Sequence, residues 1–586
     1  MTAKHAFGDI DALFDRFAAT GVAPGLAFGV VVDGELVHAG GRGTLRAGEI
    51  AEPGPDSVFR IASMTKSFTA STVLLLRDDG RLRLDDPVTR LVPELAGLPA
   101  WSRDAAPMTV ESLLTMSAGF PTDDPWGDRL QDQDPAAFLS FLASGPELAW
   151  PVGTHFEYAN LGFAILGVVI SRAADEAYRA VVERRILRPL GLGSTAYDDE
   201  GIDPARLARG YVRRDDAWVE EPTAAYGAFA PMGGLFASVR DLARWVGGFT
   251  DAFPARDDPD DGHPLSRATR REMQQLRRPI LPELTWRSAA GVPSAVVAGY
   301  GYGLFVTLDA TLGRIVGHGG GYPGFGSHMR WHPASGIGVV GLANGRYAPV
   351  VDATSEALAL LVGRDLAPIR RPRPWVATTA ARASVERLFE AWDDELAGTL
   401  FAPNVALDEP LPARRAELER IRSVHGRLRA DDDTAPESRS VAHLAWWLAG
   451  ERGRVRVEIL MSPDRPARIQ SLIVTSVPAP PPALAVVARR IVELLALPGP
   501  SWPEELRLAG TVDRPALDRE LRAAEALFGP VVLGPPTGGD GKTDATWLLS
   551  GERGNLTLTV AIEADGGRVS KVGLVPVTLE SPIHLA

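Results

Sequence analysis

Apolar residues at Ile10, Leu13, Phe14 and Phe17 recur with helical spacing, so the chain opens with an amphipathic helix. The stretch that follows, "GLAFGVVVDGELVHAG", changes period. Two apolar runs flank Asp33-Gly34, a pair suited to the tight turn of a hairpin. Helical patterning returns from Ser63, with Phe68, Val73 and Leu74 available for burial, and residues 109–250 read as mostly helices and loops. From Gly301 strand-like segments reappear at Tyr302–Leu308, Arg314–His318, Gly326–Trp331 and Ile337–Leu342, and a helix over about Val351–Val362 follows. Helices at both ends, an early hairpin and a late meander predict an α+β fold. One antiparallel sheet is flanked by helices, and an all-helical subdomain is inserted in its middle.

The pattern changes again at "LAPIRRPRPW" (366–375) and at "VPAPPPA" (477–483), both read as linkers. Between and after them the text repeats itself: "WWLAGERGRVRVEIL" (446–460) aligns without a gap on "WLLSGERGNLTLTVA" (547–561), and "ARIQSLIV" and "GRVSKVGLV" follow in corresponding places. Each copy begins with helical segments (about 380–427 and 484–528) and is expected to end in two strands. Two copies are too few for a solenoid. The expectation is therefore a first domain over 1–367 and two small α+β repeats over 375–478 and 483–586. Trp446, Trp447 and Trp547 are expected to pack in their cores.

Composition narrows the function classes. A chain of 586 residues exceeds a single core. Its net charge of −13 argues against nucleic acid or an anionic membrane as partner. The absence of cysteine removes disulfides, thiolate metal sites and a cysteine nucleophile. The longest apolar run, Leu161–Ile170, is too short to span a bilayer, and Asp9, Asp11 and Asp15 stand where a signal peptide needs an apolar run. A cytoplasmic protein is expected.

One residue choice stands out. Only four of the 61 basic residues are lysines, and Lys66 lies three positions after Ser63 in "FRIASMTKSFTA". A surface lysine is the ordinary reading, but Ile61, Met64 and Phe68 around it suggest burial. Residues i and i+3 share a helix face, so the Ser63 hydroxyl and the Lys66 amine can meet. A desolvated lysine can lose its proton and act as a base, which arginine cannot. A serine at a helix N-terminus is well placed as a nucleophile. Further on, Tyr158-x-Asn160 precedes an apolar helix, and His318 ends a strand with Gly319, Gly320 and Gly321 after it. Taken singly, the first is usually a capping element and the second usually a turn.

In this order the three elements resemble the penicillin-recognising serine hydrolases: class C β-lactamases, D,D-peptidases, and related esterases and D-aminopeptidases. "VESLLTMSAGFP" (110–121), "PMGGLFASVRDLARW" (231–245) and "GYGLFV" (301–306) add to a resemblance that covers about residues 8–365. It implies Ser63 as acylated nucleophile, Lys66 and Tyr158 as base and proton shuttle, and Asn160 on the substrate's amide side. It further implies His318 where many relatives have lysine, and an oxyanion hole from the N–H groups of Ser63 and Gly321. His318 and Gly319 replace the Lys-Thr of the family's Lys-Thr-Gly element, which weakens a carboxylate anchor. The resemblance thus implies a small ester, amide or peptide as substrate, with an esterase, amidase or D-stereospecific peptidase favoured over a β-lactamase or D,D-carboxypeptidase. The alternatives are a peptide-cyclising or acyl-transferring thioesterase-like enzyme and a non-catalytic binding protein on the same scaffold.

No cofactor or metal is expected. "GGGYPG" (319–324) fits a dinucleotide fingerprint but precedes a strand, and "GGDGKTD" (538–544) has Pro536 where a phosphate loop needs its first glycine. His328 and His332 lack a third ligand nearby. Asp123, Asp124 and Trp126 fall in a loop read as capping, with an acidic pair that could hold a substrate amine.

Overall fold

The computed structural model describes residues 3–260, 262–280, 283–286, 293–309, 312–364, 366–496, 506–551, 554–564 and 568–577. Glu552 and Arg553 of the repeated segment and the last nine residues of the second repeat lie outside them. The chain divides into two compact units, Met1–Arg370 and Arg371–Ala586.

The first unit is built on an antiparallel sheet of nine strands among the described residues. The hairpin forms as the sequence suggests. Gly25–Val32 and Glu35–Gly43 are joined by Asp33 and Gly34 at φ 51° and 87°, the left-handed conformation that such a turn requires. Gly25–Val32 then pairs with Ile337–Ala343, so the start of the chain closes onto its late meander. From there Phe325–His332, Gly313–Tyr322, Phe305–Asp309 and Pro293–Tyr300 follow side by side. Residues 44–277 are inserted between the two halves of this sheet. The insertion is not purely helical, because Val58–Arg60 pairs with Phe236–Ser238 and Tyr211–Arg214 with Ala217–Glu220.

Alternation along the strands sorts the two faces. Leu26, Phe28 and Val30, with Ile337 and Val339, pack under the helices Ala3–Ala19 and Val350–Gly363, where Phe14 stacks on Phe28 at 4.0 Å. Burial of each such aromatic contributes roughly 1.5–3 kcal/mol. On the opposite face Met329, Trp331, Val340 and Leu342 meet the helices Thr65–Asp78 and Val239–Asp251. Residues 65–76 of the Thr65–Asp78 helix are all buried. Its hydroxyls stay satisfied: Thr69 donates to the Pro231 carbonyl at 2.6 Å, and Ser67 accepts from Trp245 Nε1 at 3.0 Å.

The second unit carries two small four-stranded sheets, each with its own helices and hydrophobic cluster. The repeated segments form the same hairpin: Gly450 pairs with Gly453 in one and Gly551 with Gly554 in the other. Even the bulge recurs, between Leu460 and Met461 and between Ala561 and Ile562. The expectation of two strands per copy is too low. Ile469–Pro478 and Val569–Pro576 add a third strand to each sheet. Val531–Gly539 adds an outer strand despite Pro535 and Pro536, which an edge tolerates because one side needs no N–H. Trp446, Trp447 and Trp547 are buried.

Candidate active site

Ser63 sits in a single 3₁₀ turn, Ala62–Met64, at the entrance to the Thr65–Asp78 helix. Ala62 has φ 47°, a left-handed conformation that strains a residue with a Cβ and turns the chain sharply just before the serine. The turn is held from the sheet side by Ser327, whose hydroxyl donates to the Ile61 carbonyl at 2.8 Å. Gly320 lies flush against it. A Cβ there would meet the Ile61 oxygen and Ser327 Oγ, both at 2.3 Å.

Lys66 is fully buried and its Nζ donates three hydrogen bonds: to Ser63 Oγ at 2.8 Å, to Asn160 Oδ1 at 2.7 Å and to the Met232 carbonyl at 2.9 Å. Burial pushes its ammonium down to about 8, against the pull of the carboxylates of Asp124, Asp128 and Asp123. The amine also stands 4.9 Å from the centre of the Tyr158 ring. Burial holds the Tyr158 phenol well above its ordinary range, while a contact with the Ser63 side chain pulls the other way.

Asn160 opens the helix Asn160–Ala174 and is fully buried. Both ends of its amide are engaged, Oδ1 with Lys66 and Nδ2 with Asp124 Oδ1 at 2.7 Å. The expected loop around Asp123 does cap, but from a buried position. Asp123 accepts from the backbone N–H groups of Asn160 and Leu161 at 2.6 and 2.8 Å. Asp124 is exposed and lines the cavity, whereas Trp126 packs against Phe141 and Phe229.

His318 is buried opposite, its ring centre 6.3 Å from that of Tyr158. Its Nδ1 bonds the Gly319 carbonyl at 2.6 Å, which can only accept, so the proton is on Nδ1. Nε2 therefore accepts from the Tyr300 hydroxyl at 2.9 Å. Burial, with the Lys66 charge adding to it, lowers its pKa to about 3, and the ring is neutral. Gly319, Gly320 and Gly321 line the same cavity of about 660 Å³ as Ser63, Tyr158 and Asp124, a size suited to a small ligand. His328 and His332 are committed to Thr354 and Ser335, and no cluster of three or more metal-ligating side chains occurs among the described residues.

Sequence reasoning missed Tyr300, the Met232 carbonyl and Tyr347. Tyr347 lies over Gly321, where a Cβ would meet its ring at 2.7 Å. It holds φ 48° and donates to Asp128 at 2.7 Å. Burial raises Asp128 to about 6. No local pattern marks these residues, because each acts through a partner distant in sequence.

The family model described as Beta-lactamase matches residues 10–364. The chain belongs to the beta-lactamase family. It is a serine hydrolase of the β-lactamase and penicillin-binding protein superfamily, as its motifs imply. Among curated beta-lactamase-family relatives, the D-alanyl-D-alanine-carboxypeptidase/endopeptidase AmpH of Escherichia coli (strain K12) is 26% identical over 345 residues. That match covers 56% of this chain and 80% of AmpH. Protein flp of Staphylococcus aureus (strain NCTC 8325 / PS 47) is 25% identical over 336 residues, 57% of this chain and 62% of flp. The octameric penicillin-binding protein homologue from Pyrococcus abyssi shares the fold over 97% of this chain and 98% of its own, with a TM-score of 0.52 and 20% identity. That likeness extends through the C-terminal sheets that the beta-lactamase model leaves unmatched. No helix among the described residues is long and apolar enough to cross a membrane.

Proposed function

We propose that the protein hydrolyses small esters or amides, D-configured peptides among them, through an acyl-enzyme at Ser63. The observation that carries this reading is the set of three acceptors around Lys66 Nζ. Asn160 Oδ1 and the Met232 carbonyl can only accept, so a neutral Lys66 keeps its two N–H bonds on them and turns its lone pair to Ser63 Oγ. Ser63 Oγ attacks the acyl carbon and its proton passes to Lys66 Nζ. Tyr158 relays the proton from the Lys66 ammonium to the leaving alcohol or amine as the C–O or C–N bond breaks, which leaves Lys66 neutral again. The developing oxyanion is held by the N–H groups of Ser63 and Gly321. Water then repeats the cycle on the ester of Ser63, releasing the acid.

His318 is the neutral part of the opposite wall. With no charge there and no hydroxyl at position 319, substrates lacking a carboxylate at that wall are favoured. A second reading, a D,D-carboxypeptidase, draws support from AmpH, whose name states that activity, and from Arg330, which lines the same cavity. The test is a panel of p-nitrophenyl esters, D- and L-amino-acid amides, a D-Ala-D-Ala peptide and a chromogenic cephalosporin. The esters or amides should give the highest kcat/KM. A highest value for the D-Ala-D-Ala peptide selects the second reading, and one for the cephalosporin overturns both.

A further inference from the structure

We infer that Asp124 is a positioning residue that fixes which end of the Asn160 amide faces Lys66. This rests on the reading of Ser63 as nucleophile and Lys66 as its base. An asparagine side chain fits its site in two orientations that differ by exchange of oxygen and nitrogen. Were Asn160 reversed, its NH₂ would face the ammonium of Lys66, and donor would meet donor. An ionised carboxylate only accepts, so the 2.7 Å bond from Asn160 Nδ2 to Asp124 Oδ1 is possible in one orientation alone. The adjacent Asp123 holds the backbone of the same residue through the N–H groups of Asn160 and Leu161. Two consecutive carboxylates thus divide the work: one places the main chain of Asn160, the other orients its amide. The chain of contacts runs Asp124, Asn160, Lys66, Ser63.

The same carboxylate acts on Lys66 through charge. The groups facing Lys66 are Ser63 in the turn before it, Tyr158 just before and Asn160 at the start of the Asn160–Ala174 helix, the Met232 carbonyl, His318 on the sheet, and Asp123, Asp124 and Asp128 in one short segment. Of these, Asp124 is the strongest in holding the ammonium up. Removing its charge must move the pH at which Lys66 becomes neutral downward, an effect a merely structural residue does not have.

The experiment compares full-length Asp124→Ala and Asp124→Asn with the parent protein, measuring kcat, KM and the pH profile on one small p-nitrophenyl ester, with circular dichroism to confirm folding. In Asp124→Ala kcat should fall by about tenfold or more, the scale of a misplaced catalytic group, with KM little changed. Asp124→Asn keeps an acceptor oxygen and loses the charge, so its rate should recover in part. In both variants the acidic limb of the profile should move to lower pH. An unmoved limb in both, or a parental kcat in Asp124→Ala, overturns the inference. Lys66→Arg in the same assay separates the two ideas. If it is inactive while the Asp124 variants behave as the parent, the role of Asp124 fails and that of Lys66 stands. If Lys66→Arg is as active as the parent, the underlying reading fails.

Discussion

The two walls of the cleft are built on opposite principles. The wall made by the inserted segment, with its Thr65–Asp78 helix, is polar and connected: Ser63, Lys66, Asn160 and Asp124 form one hydrogen-bonded line, with further carboxylates behind it. The sheet wall turns bare backbone and a neutral ring toward the serine. Three consecutive glycines replace side chains with backbone beside Ser63, His318 has its nitrogens tied to Gly319 and Tyr300, and Arg330 lines the cavity from the same sheet. The contrast teaches that proton chemistry belongs to the first wall, while the second supplies shape and close approach. Variants on the two walls should therefore fail differently.

The largest effect is expected from Lys66→Arg. It keeps the charge and cannot become a base, so kcat/KM on a small ester should fall by roughly a hundredfold or more, the contribution of general-base catalysis. A near-parental rate would show that only charge matters on this wall. On the sheet wall, Gly320→Ala forces a Cβ against the Ile61 oxygen and Ser327 Oγ. It should lower kcat by roughly tenfold by displacing the turn that carries Ser63 and cost about 1–3 kcal/mol in stability, as overpacking does. Denaturant unfolding and steady-state kinetics measure both.

The pH profile sharpens the contrast. Lys66 must be neutral to accept a proton, so kcat/KM should rise with pH and level off above about 8. His318, with a pKa near 3, should stay neutral throughout, and its ring resonances in NMR should not move between about pH 5 and 9, where an ordinary histidine titrates. A limb near the ordinary histidine value that vanishes in His318→Phe would contradict a neutral His318. The smallest effect is expected from removing the second unit. A fragment of residues 1–370 should fold and hydrolyse a small ester at close to the full-length rate. It must keep Arg370, whose guanidinium donates to the Thr250 and Phe253 carbonyls. A folded fragment without activity would place part of the chemistry in the repeats.

What was legible in the sequence was local. Ser63 and Lys66 share one turn of helix, so their meeting follows from spacing, and the Asp33-Gly34 hairpin follows from its turn residues. The strands of the meander were readable from short apolar runs between glycines. The repeats were readable from their text, but the outer Val531–Gly539 strand was hidden by prolines that only an edge position accommodates. Illegible were contacts that tertiary packing makes between distant segments: Asp124 with Asn160, Tyr347 with Asp128, Met232 with Lys66. For the same reason nothing in the sequence signals that Tyr300 takes the Nε2 of His318.

The most direct test of the account is covalent labelling at Ser63. The full-length protein is treated with a fluorophosphonate, and adducts are counted by intact mass and mapped by peptide digestion. One adduct on Ser63, absent from Ser63→Ala and strongly slowed in Lys66→Arg, is the result the account predicts. Equal labelling of the parent and of Ser63→Ala would contradict it.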